Sequence, residues 1–339
     1  MTSARLLSPL GMTKSQVPER RGGVVLRLVL QVFLTVAVTW FIADRVGADL
    51  GRLATLDVGE WDLRWHWLVL SVVVLGAGYV ISAALWGRMV VELGGPRIPT
   101  LRSARLFLVA NLGRYIPGKG LQLAGLTVLA AREGVRPATA AVAAVLGQVV
   151  ALLGATLVGL GAFFAPGSGV RSWGWIGLAG VGGFLVIGSL PAARRLLVLL
   201  WGRFTKEDGT DPPPALTDPT FVWRWTALYT LNWALYATAF WLLFIGIAGW
   251  ATFLQAGVAF AAAYVGGYVA IFAPAGIGVR ELLLTVFLSP ILSPDRALAV
   301  AIIARLWTTA VEVIPALALT PRVLKGRSSE QPDGAGDTP

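Results

Sequence analysis

The chain lacks cysteine altogether, has a single histidine and carries few charges for its length of 339 residues. Without cysteine it forms no disulfide and offers no thiolate nucleophile or metal ligand, and one histidine leaves little scope for imidazole chemistry. Only 14% of the residues are charged, against about 25% in soluble domains. These absences exclude most familiar active sites, and we expect no metal, no cofactor and no catalytic residue.

What the chain has in abundance is apolar sequence. Hydrophobic residues make up 56% of it, and the mean hydropathy is +0.72. This composition predicts an all-α integral membrane protein. The net charge of +10 is therefore attributed to membrane orientation and to contact with anionic lipid head groups, and not to nucleic acid.

About 20 apolar residues span the hydrocarbon of a bilayer. By this rule we predict six ordinary transmembrane helices at residues 24–43, 67–90, 138–164, 173–190, 222–248 and 297–319. The first follows a basic leader without a clear cleavage site, so we expect a retained anchor. Seven tryptophans lie near predicted span ends, where their rings favour the head-group interface. We expect them to be anchors: Trp40, Trp65, Trp67, Trp86, Trp173, Trp201 and Trp250.

Two further apolar segments, residues 106–131 and 252–292, are each broken near the middle by glycine, proline and charge. Pro117 and Pro274 lie in these breaks and end the entering half-helices. Exposed peptide groups are tolerated at membrane depth only where protein or a water-filled cavity satisfies them. We therefore predict two re-entrant helical hairpins, with a site at their breaks.

Lysine and arginine placement orients the chain. With both hairpins re-entrant, 19 of the 28 basic residues lie on one side and five on the other, which predicts cytoplasmic N- and C-termini in the cell membrane. If both broken segments crossed fully, the bias would be weaker. The predicted organisation is a basic cytoplasmic N-terminus at 1–23, a polytopic membrane domain at 24–321 and a disordered cytoplasmic tail at 322–339.

The membrane domain also has an internal symmetry. Residues 24–164 and 173–321 each contain two spans, a broken hairpin and one further span, with a connector at 205–219 in the second half. Three crossings per half is an odd number, so the second half is inverted relative to the first. Inverted repeats with broken helices are typical of alternating-access transporters. The alternative is a coincidence of hydropathy, since the halves share little other sequence.

The first break contains a G-x-x-x-x-G-K pattern, the beginning of a phosphate-binding P-loop. We reject that interpretation because Gly120 stands where Ser or Thr is needed and a membrane segment stands where a strand is needed. Instead, Gly118 and Gly120 would let backbone amides approach a phosphate, while Arg114 and Lys119 would donate to it. The alternative is a cytoplasmic loop whose cations reach the head groups.

The second break has Gly276 and Gly278, which complete the predicted backbone cradle, followed by Arg280 and Glu281. A helix restarting here directs free amides and its positive dipole end toward an anion. Glu281 pairs with Arg114, Lys119 or Arg305, or takes a coupling proton. Arg305 and Glu312 are seven residues apart on one helical face, and we expect them to pair with each other. A purely structural ion-pair cluster is the alternative.

The motifs RYIPGKGLQ at 114–122 and PAGIGVRE at 274–281, with the helix carrying Arg305 and Glu312, resemble the lysylphosphatidylglycerol synthase transmembrane family. The resemblance covers about residues 24–322 and implies translocation of an anionic phospholipid or a polyprenyl-phosphate-linked sugar between leaflets. Some members are fused to a soluble aminoacyl-transferase domain. Only about 17 mostly polar residues follow Arg322 here, so we expect no such domain and no lysine transfer.

The leading hypothesis is thus a lipid flippase. Arg114, Lys119 and Arg280 would hold the phosphate, and charge balance or proton coupling would fall to Glu281, Arg305 and Glu312. One alternative is a membrane transferase that modifies a lipid head group, with Glu281 or Glu312 as base. Another is a non-transporting subunit that serves a separate glycosyl- or aminoacyl-transferase. The oligomeric state is left open.

Overall fold

The computed structural model describes residues 44, 47–48, 50–55, 61, 63–115, 120–164, 171–204, 212–270 and 278–325. From residue 63 onward these residues form α-helices, short 3-10 turns and connecting loops. The helices are α1 (Trp65–Glu92), α2 (Thr100–Asn111), α3 (Leu121–Arg132), α4 (Pro137–Gly159), α5 (Arg171–Ser189), α6 (Pro191–Phe204), α7 (Phe221–Ile247), α8 (Gly257–Val269), α9 (Val279–Leu288) and α10 (Pro294–Lys325). The prediction of an all-helical protein is therefore confirmed for the described residues.

Four of these helices are long and apolar enough to cross a membrane unaided: α1, α4 with its 3-10 extension Leu160–Phe164, α7 and α10. A fifth span is possible if α5 and α6, which meet at a bend of 67°, are counted together. The four long helices correspond to predicted spans, whose limits lie within a few residues of the helix ends, and α5 alone corresponds to the predicted span 173–190. The predicted first span, 24–43, lies outside the described residues.

Each broken segment consists of two short helices joined at its break. In the first, α2 and α3 have 12 residues each, or about 18 Å at 1.5 Å per residue. In the second, α8 and α9 have 13 and 10 residues. In both segments the two arms pack against each other. This packing favours the hairpins predicted from the sequence, while their re-entry and the side from which each enters stay predictions.

Equivalent helices of the two halves make equivalent contacts. The long helices α1 and α7 pack against each other at the centre, α4 packs against the second hairpin through α8, and α10 packs against the first hairpin through α2. Within each half the hairpin also packs against the preceding and the following long helix. This reciprocal arrangement is the one expected of a repeat.

Helix α6 was not predicted. The sequence analysis treated the basic stretch around Arg194 as part of a cytoplasmic region, whereas Pro191 begins a helix there, as proline favours a first helical position. Trp201 of α6 is buried in the same apolar cluster as Leu216 and Phe221. The predicted connector 205–219 accordingly contains a 3-10 turn, Pro214–Leu216, in its described part.

Candidate functional site

Described residues on either side of the two breaks line one cavity of about 180 Å³. A single buried water needs only about 10–15 Å³, so the cavity has room for a polar group much larger than water. Its walls come from both hairpins and from α1, α4, α7 and α10. Five of the six charged residues predicted from the sequence line it: Arg114, Arg280, Glu281, Arg305 and Glu312. The sixth, Lys119, lies outside the described residues.

The first break joins the first hairpin to α10. After α2 the chain makes a 3-10 turn, Leu112–Tyr115, which brings Arg114 and Tyr115 to Glu312. Arg114 Nη1 lies 3.2 Å from Glu312 Oε1, and the Tyr115 hydroxyl donates to Glu312 Oε2 at 2.9 Å. The first contact is an ion pair without hydrogen-bond alignment, so Glu312 Oε1 has no hydrogen-bond donor among the described residues. Glu312 is only 2% exposed.

The second break joins the second hairpin to the same helix. Gly278 precedes α9 with φ of +82°, a conformation that glycine adopts without strain. Its backbone N–H donates to Glu281 Oε2 at 2.6 Å, and Arg305 Nη1 donates to Glu281 Oε1 at 3.1 Å. Glu281 thus caps its own helix and pairs with α10. Of the partners left open for Glu281, the structure shows Arg305.

The expected pair between Arg305 and Glu312 was therefore wrong as the main partnership of Glu312. The two residues share a face of α10, but seven residues separate them by about 10.5 Å along the helix axis. Glu312 pairs with Arg114 of the first hairpin, and Arg305 pairs with Glu281 of the second hairpin. Helix α10 consequently ties both breaks together by charge.

Arg280 differs from the other two arginines. Its guanidinium carbon lies 4.6 Å from the centre of the Phe260 ring and 5.5 Å from that of Tyr264, within the range of cation–π attraction. No carboxylate of the described residues lies within ion-pair distance of it. Three arginines against two glutamates leave the described part of the cavity with one positive charge in excess.

Only two of the four glycines of the predicted cradle, Gly120 and Gly278, belong to the described residues. Gly118 and Gly276, together with the helix-breaking Pro117 and Pro274, fall outside the described residues. Gly120 immediately precedes α3, in an ordinary helical conformation. Gly278 does not offer its amide to the cavity in this structure, because that N–H is engaged by Glu281. Ligand binding by the cradle stays a prediction.

Packing explains why glycine is required at position 113, the first residue of the rejected P-loop pattern. A Cβ atom at this position would lie 2.8 Å from the backbone nitrogen of Gln122, a contact that real Cβ atoms do not make. The glycine lets the 3-10 turn pack directly against the first turn of α3. It therefore closes the first hairpin and holds Arg114 in place.

Sequence reasoning missed the aromatic lining. All six tyrosines of the chain line the cavity. Five rings form a row in which neighbouring centres are 4.5–6.3 Å apart, in the order Tyr79, Tyr236, Trp233, Tyr264 and Tyr268. The available signal was the spacing of Tyr229, Trp233 and Tyr236, which places them on one face of α7.

Two of the predicted tryptophan anchors were also misplaced. Trp86 is 1% exposed and lines the cavity, and Trp201 is 2% exposed inside an apolar cluster. Trp65 and Trp250, by contrast, are 68% and 73% exposed, as expected of side chains at an interface. Position near a span end therefore did not by itself separate anchors from core residues.

These features define a multi-pass membrane protein in which arms of two broken segments and four long helices line a charged, tyrosine-rich cavity. Among the described residues, no group of His, Asp and Glu side chains could hold a metal ion. A family model described as the lysylphosphatidylglycerol synthase TM region matches residues 24–316, and the chain belongs to this family. Membership gives the protein a function related to membrane lipids. No curated protein and no solved structure matched the chain.

Proposed function

We propose that this protein moves an anionic, phosphate-bearing lipid between the leaflets of the cell membrane, with both of its termini in the cytoplasm. The head group would enter the cavity between the two breaks, while the acyl or prenyl chains stay in the bilayer. The substrate would be a phospholipid or a polyprenyl-phosphate-linked sugar. A separate glycosyl- or aminoacyl-transferase would make or consume it.

The observation that carries the proposal is Arg280, a cation in excess over the carboxylates of the described cavity. An uncompensated charge at membrane depth is costly, and such residues are typical of substrate pathways. A phosphate would neutralise Arg280 by charge-assisted hydrogen bonds. Arg114 and Lys119, from the first break, would add donors as the phosphate approaches. The neighbouring Glu312 balances Arg114 in the structure described here.

A lipid is favoured over a soluble anion by the outer faces of the hairpin arms. On α9, Leu282 and Val286 are exposed while Arg280 and Glu281 line the cavity. On α3, Val128 is likewise exposed while Gln122 and Leu126 face inward. Both arms therefore separate a polar interior from an apolar surface that hydrocarbon would cover. A ligand with both kinds of group matches such a boundary.

Transfer chemistry is the second candidate, but the carboxylates argue against it. A general base must be available to accept a proton from the reacting group. Glu281 accepts hydrogen bonds from Arg305 and from a backbone amide, and Glu312 lies beside Arg114. Both carboxylates are thus already engaged by groups of the protein, and neither is free to take a proton from a reacting head group. We therefore propose a transporter and not an enzyme.

The test is reconstitution of the purified protein into vesicles that contain candidate anionic lipids. Leaflet exchange is followed with an impermeant head-group reagent, and new lipid products are sought by mass spectrometry. A charged hydrogen bond to phosphate contributes about 1.5–3 kcal/mol, so Arg280→Gln should slow exchange by roughly ten- to a hundred-fold.

The matched control is Arg88→Gln, which removes an exposed cation of α1 that does not line the cavity. Exchange by this variant should equal that of the unchanged protein. New lipid products would favour the transferase. If no lipid gives either exchange or new products, the result favours a subunit that only serves another enzyme. Normal exchange by Arg280→Gln would contradict the assigned phosphate contact.

A further inference from the structure

Helix α6 contributes no residue to the cavity lining, and its two faces have different surroundings. Its inner face carries Arg194, Val198 and Trp201, which follow each other at intervals of four and three residues. Val198 and Trp201 pack in one apolar cluster, and Arg194 Nη1 donates to the backbone carbonyl oxygen of Thr217. These contacts fix the helix and thereby decide which of its side chains point away from the protein.

The outer face of α6 is apolar and carries one cation. Leu196 and Leu199 are 56% and 70% exposed, and Arg195, one turn before Leu199, is exposed as well. The helix contains three arginines and neither Asp nor Glu. Exposed leucines beside arginine, with no acidic residue on the same helix, are typical of helices that lie in the surface of a membrane.

The preceding helix sets the height of α6 in the membrane. Helix α5 has 19 residues, or about 28 Å at 1.5 Å per residue, close to the roughly 30 Å of hydrocarbon in a bilayer. It can therefore cross without α6, which begins two residues after α5 ends. Ile187 and Leu190, at this junction, are 61% and 47% exposed, so the apolar surface of the span continues onto α6.

The bend between the two helices keeps α6 at that height. Its 14 residues make a helix of about 21 Å. Because α6 departs from the direction of α5 at 67°, it advances only about 8 Å further along that direction. The head-group region on each side of the hydrocarbon is roughly 5–8 Å thick. With α5 crossing along the membrane normal, α6 therefore stays within the head-group region.

Lipid suits the outer face better than a protein partner does. Hydrocarbon would cover Ile187 at the end of α5, and Leu196 and Leu199 continue the same apolar surface. Anionic head groups supply the negative charge that the helix lacks, and they attract cations near the membrane surface. A second copy of the chain in a two-fold contact would instead bring together two arginine-rich helices without acidic residues.

We propose that α6 is an interfacial helix that binds the anionic lipid surface at the end of α5. Leu196 and Leu199 lie in hydrocarbon just below the head groups, and Arg195 extends to lipid phosphates, as long basic side chains do. This surface is separate from the cavity and goes beyond the transport proposed above. It gathers anionic lipids beside the protein, whichever head group the cavity takes.

Depth in the membrane is measured with the fluorophore NBD on single cysteines, since the chain has no cysteine of its own. Full-length protein labelled at Leu199→Cys is reconstituted into vesicles of phosphatidylcholine and phosphatidylglycerol. Lipids with a nitroxide quencher near the head group should quench this label more than lipids with the nitroxide at the end of the acyl chain. The control is Val80→Cys, 44% exposed near the middle of α1, where the order should be reversed.

Two results would contradict an interfacial helix. Stronger quenching of the Leu199→Cys label by the chain-end nitroxide would mean that α6 continues the span of α5. No quenching by either lipid would mean that protein or water covers this face. Disulfide-linked dimers of the unlabelled Leu199→Cys protein would then identify a second copy as the occupant.

Lipid selectivity is measured with the same label. The nitroxide near the head group is placed on either phosphatidylglycerol or phosphatidylcholine, in equal amounts. One cation near an anionic surface favours anionic lipid about fivefold, so phosphatidylglycerol should be enriched at Leu199→Cys by about that ratio at low salt and less at high salt. The Val80→Cys label, near the middle of a different helix, should show no preference. Equal quenching at Leu199→Cys would overturn the proposal.

The diagnostic variant is Arg195→Gln in the protein labelled at Leu199→Cys. Its preference for phosphatidylglycerol should fall close to equality, whereas Arg195→Lys, which keeps the charge, should retain most of it. Arg88→Gln, which removes an exposed cation of α1, should leave the preference unchanged. An unchanged depth of the label reports that α6 stays in place. A full preference in Arg195→Gln would overturn the role assigned to Arg195.

Both measurements follow quenching and not leaflet exchange. If α6 shows neither the expected depth nor the expected selectivity, the proposed transporter still stands. If no lipid is exchanged, the transporter is removed and the interfacial helix still stands.

Discussion

The two breaks have the same architecture but use their arginines differently. At the first break Arg114 lies against Glu312, and Tyr115 donates to the same carboxylate. At the second break Arg280 lies against the rings of Phe260 and Tyr264, while the adjacent Glu281 turns to Arg305. An aromatic face holds a cation without neutralising it, whereas a carboxylate cancels its charge.

This difference separates structural charges from charges available to a ligand. Arg114, Arg305 and both glutamates connect the hairpins to α10, and their mutual pairing offsets the cost of burying them. Arg280 is the cation left over in the described cavity. We therefore expect substitutions within the pairs to affect mainly stability, and substitution of Arg280 to affect mainly ligand binding.

The largest effect is expected from Glu312→Gln. Loss of this carboxylate leaves Arg114 buried without a counter-charge, and breaking a buried pair costs about 3–5 kcal/mol in the free energy of unfolding. Denaturation of the purified protein in detergent, followed by circular dichroism, measures the loss. A decrease below about 1 kcal/mol, the range of exposed pairs, would show that Arg114 does not depend on Glu312.

The double variant Arg114→Met with Glu312→Leu supplies the control. Replacing a buried pair by apolar residues of similar size is often neutral, so the double variant should be more stable than Glu312→Gln. An Arg305→Met, Glu312→Leu double variant should gain no such recovery, because it leaves Arg114 and Glu281 without their partners. If stability recovers only in the Arg305→Met, Glu312→Leu variant, the pair between Arg305 and Glu312 expected from the sequence would be correct after all.

The next largest effect is expected at the other break, from Glu281→Gln. This change removes the ion pair with Arg305 and weakens the cap on the Gly278 amide. Charged hydrogen bonds contribute about 1.5–3 kcal/mol, so a loss of about 2–3 kcal/mol is expected. Thermal unfolding measures it, and Arg305→Gln should give a similar loss. Unequal losses would mean that one of the two has a further stabilising partner.

A smaller effect on stability is expected from substituting Gly120 and Gly278, the glycines that precede α3 and α9. Gly278 has φ of +82°, so Gly278→Ala should cost about 1–2 kcal/mol in stability. Gly120 has φ of −80° and open space around it, so Gly120→Ala should be neutral or stabilising by up to about 1 kcal/mol. Melting temperatures of the two variants test this contrast. Equal destabilisation would contradict the assigned backbone difference.

The smallest effect is expected outside the cavity, at Arg224. Its guanidinium lies 2.7 Å from Glu92, but its side chain is 47% exposed. Exposed pairs contribute about 0–1 kcal/mol and are screened by salt. Arg224→Gln should therefore lower stability slightly at low ionic strength and not at all at high ionic strength. A loss comparable to that of Glu312→Gln would show that exposure does not distinguish the two kinds of pair.

Much of the fold could be predicted from the sequence because hydropathy is a local property. The long helices α1, α4, α7 and α10 begin and end within a few residues of their predicted limits, since lipid-facing length fixes the apolar run. The two broken segments were found for a related reason. Glycine, proline and charge are rare at membrane depth unless protein or water satisfies them. Helix α6 was missed although proline begins it, because its basic residues were taken to mark a cytoplasmic region.

From the sequence alone, five charges of the cavity could be placed beside the two breaks and on α10, while Lys119 lies outside the described residues. Tertiary structure alone decided how they pair. Arg305 is seven residues from Glu312 and Arg114 is 198 positions earlier, yet Arg114 is the partner because the packing of the two halves brings it to Glu312. The same packing brings six tyrosines from α1, α7, α8 and the first break into one cavity. Ion pairs and ring contacts form only between groups a few ångströms apart in space. That distance cannot be read from the spacing of residues along the chain.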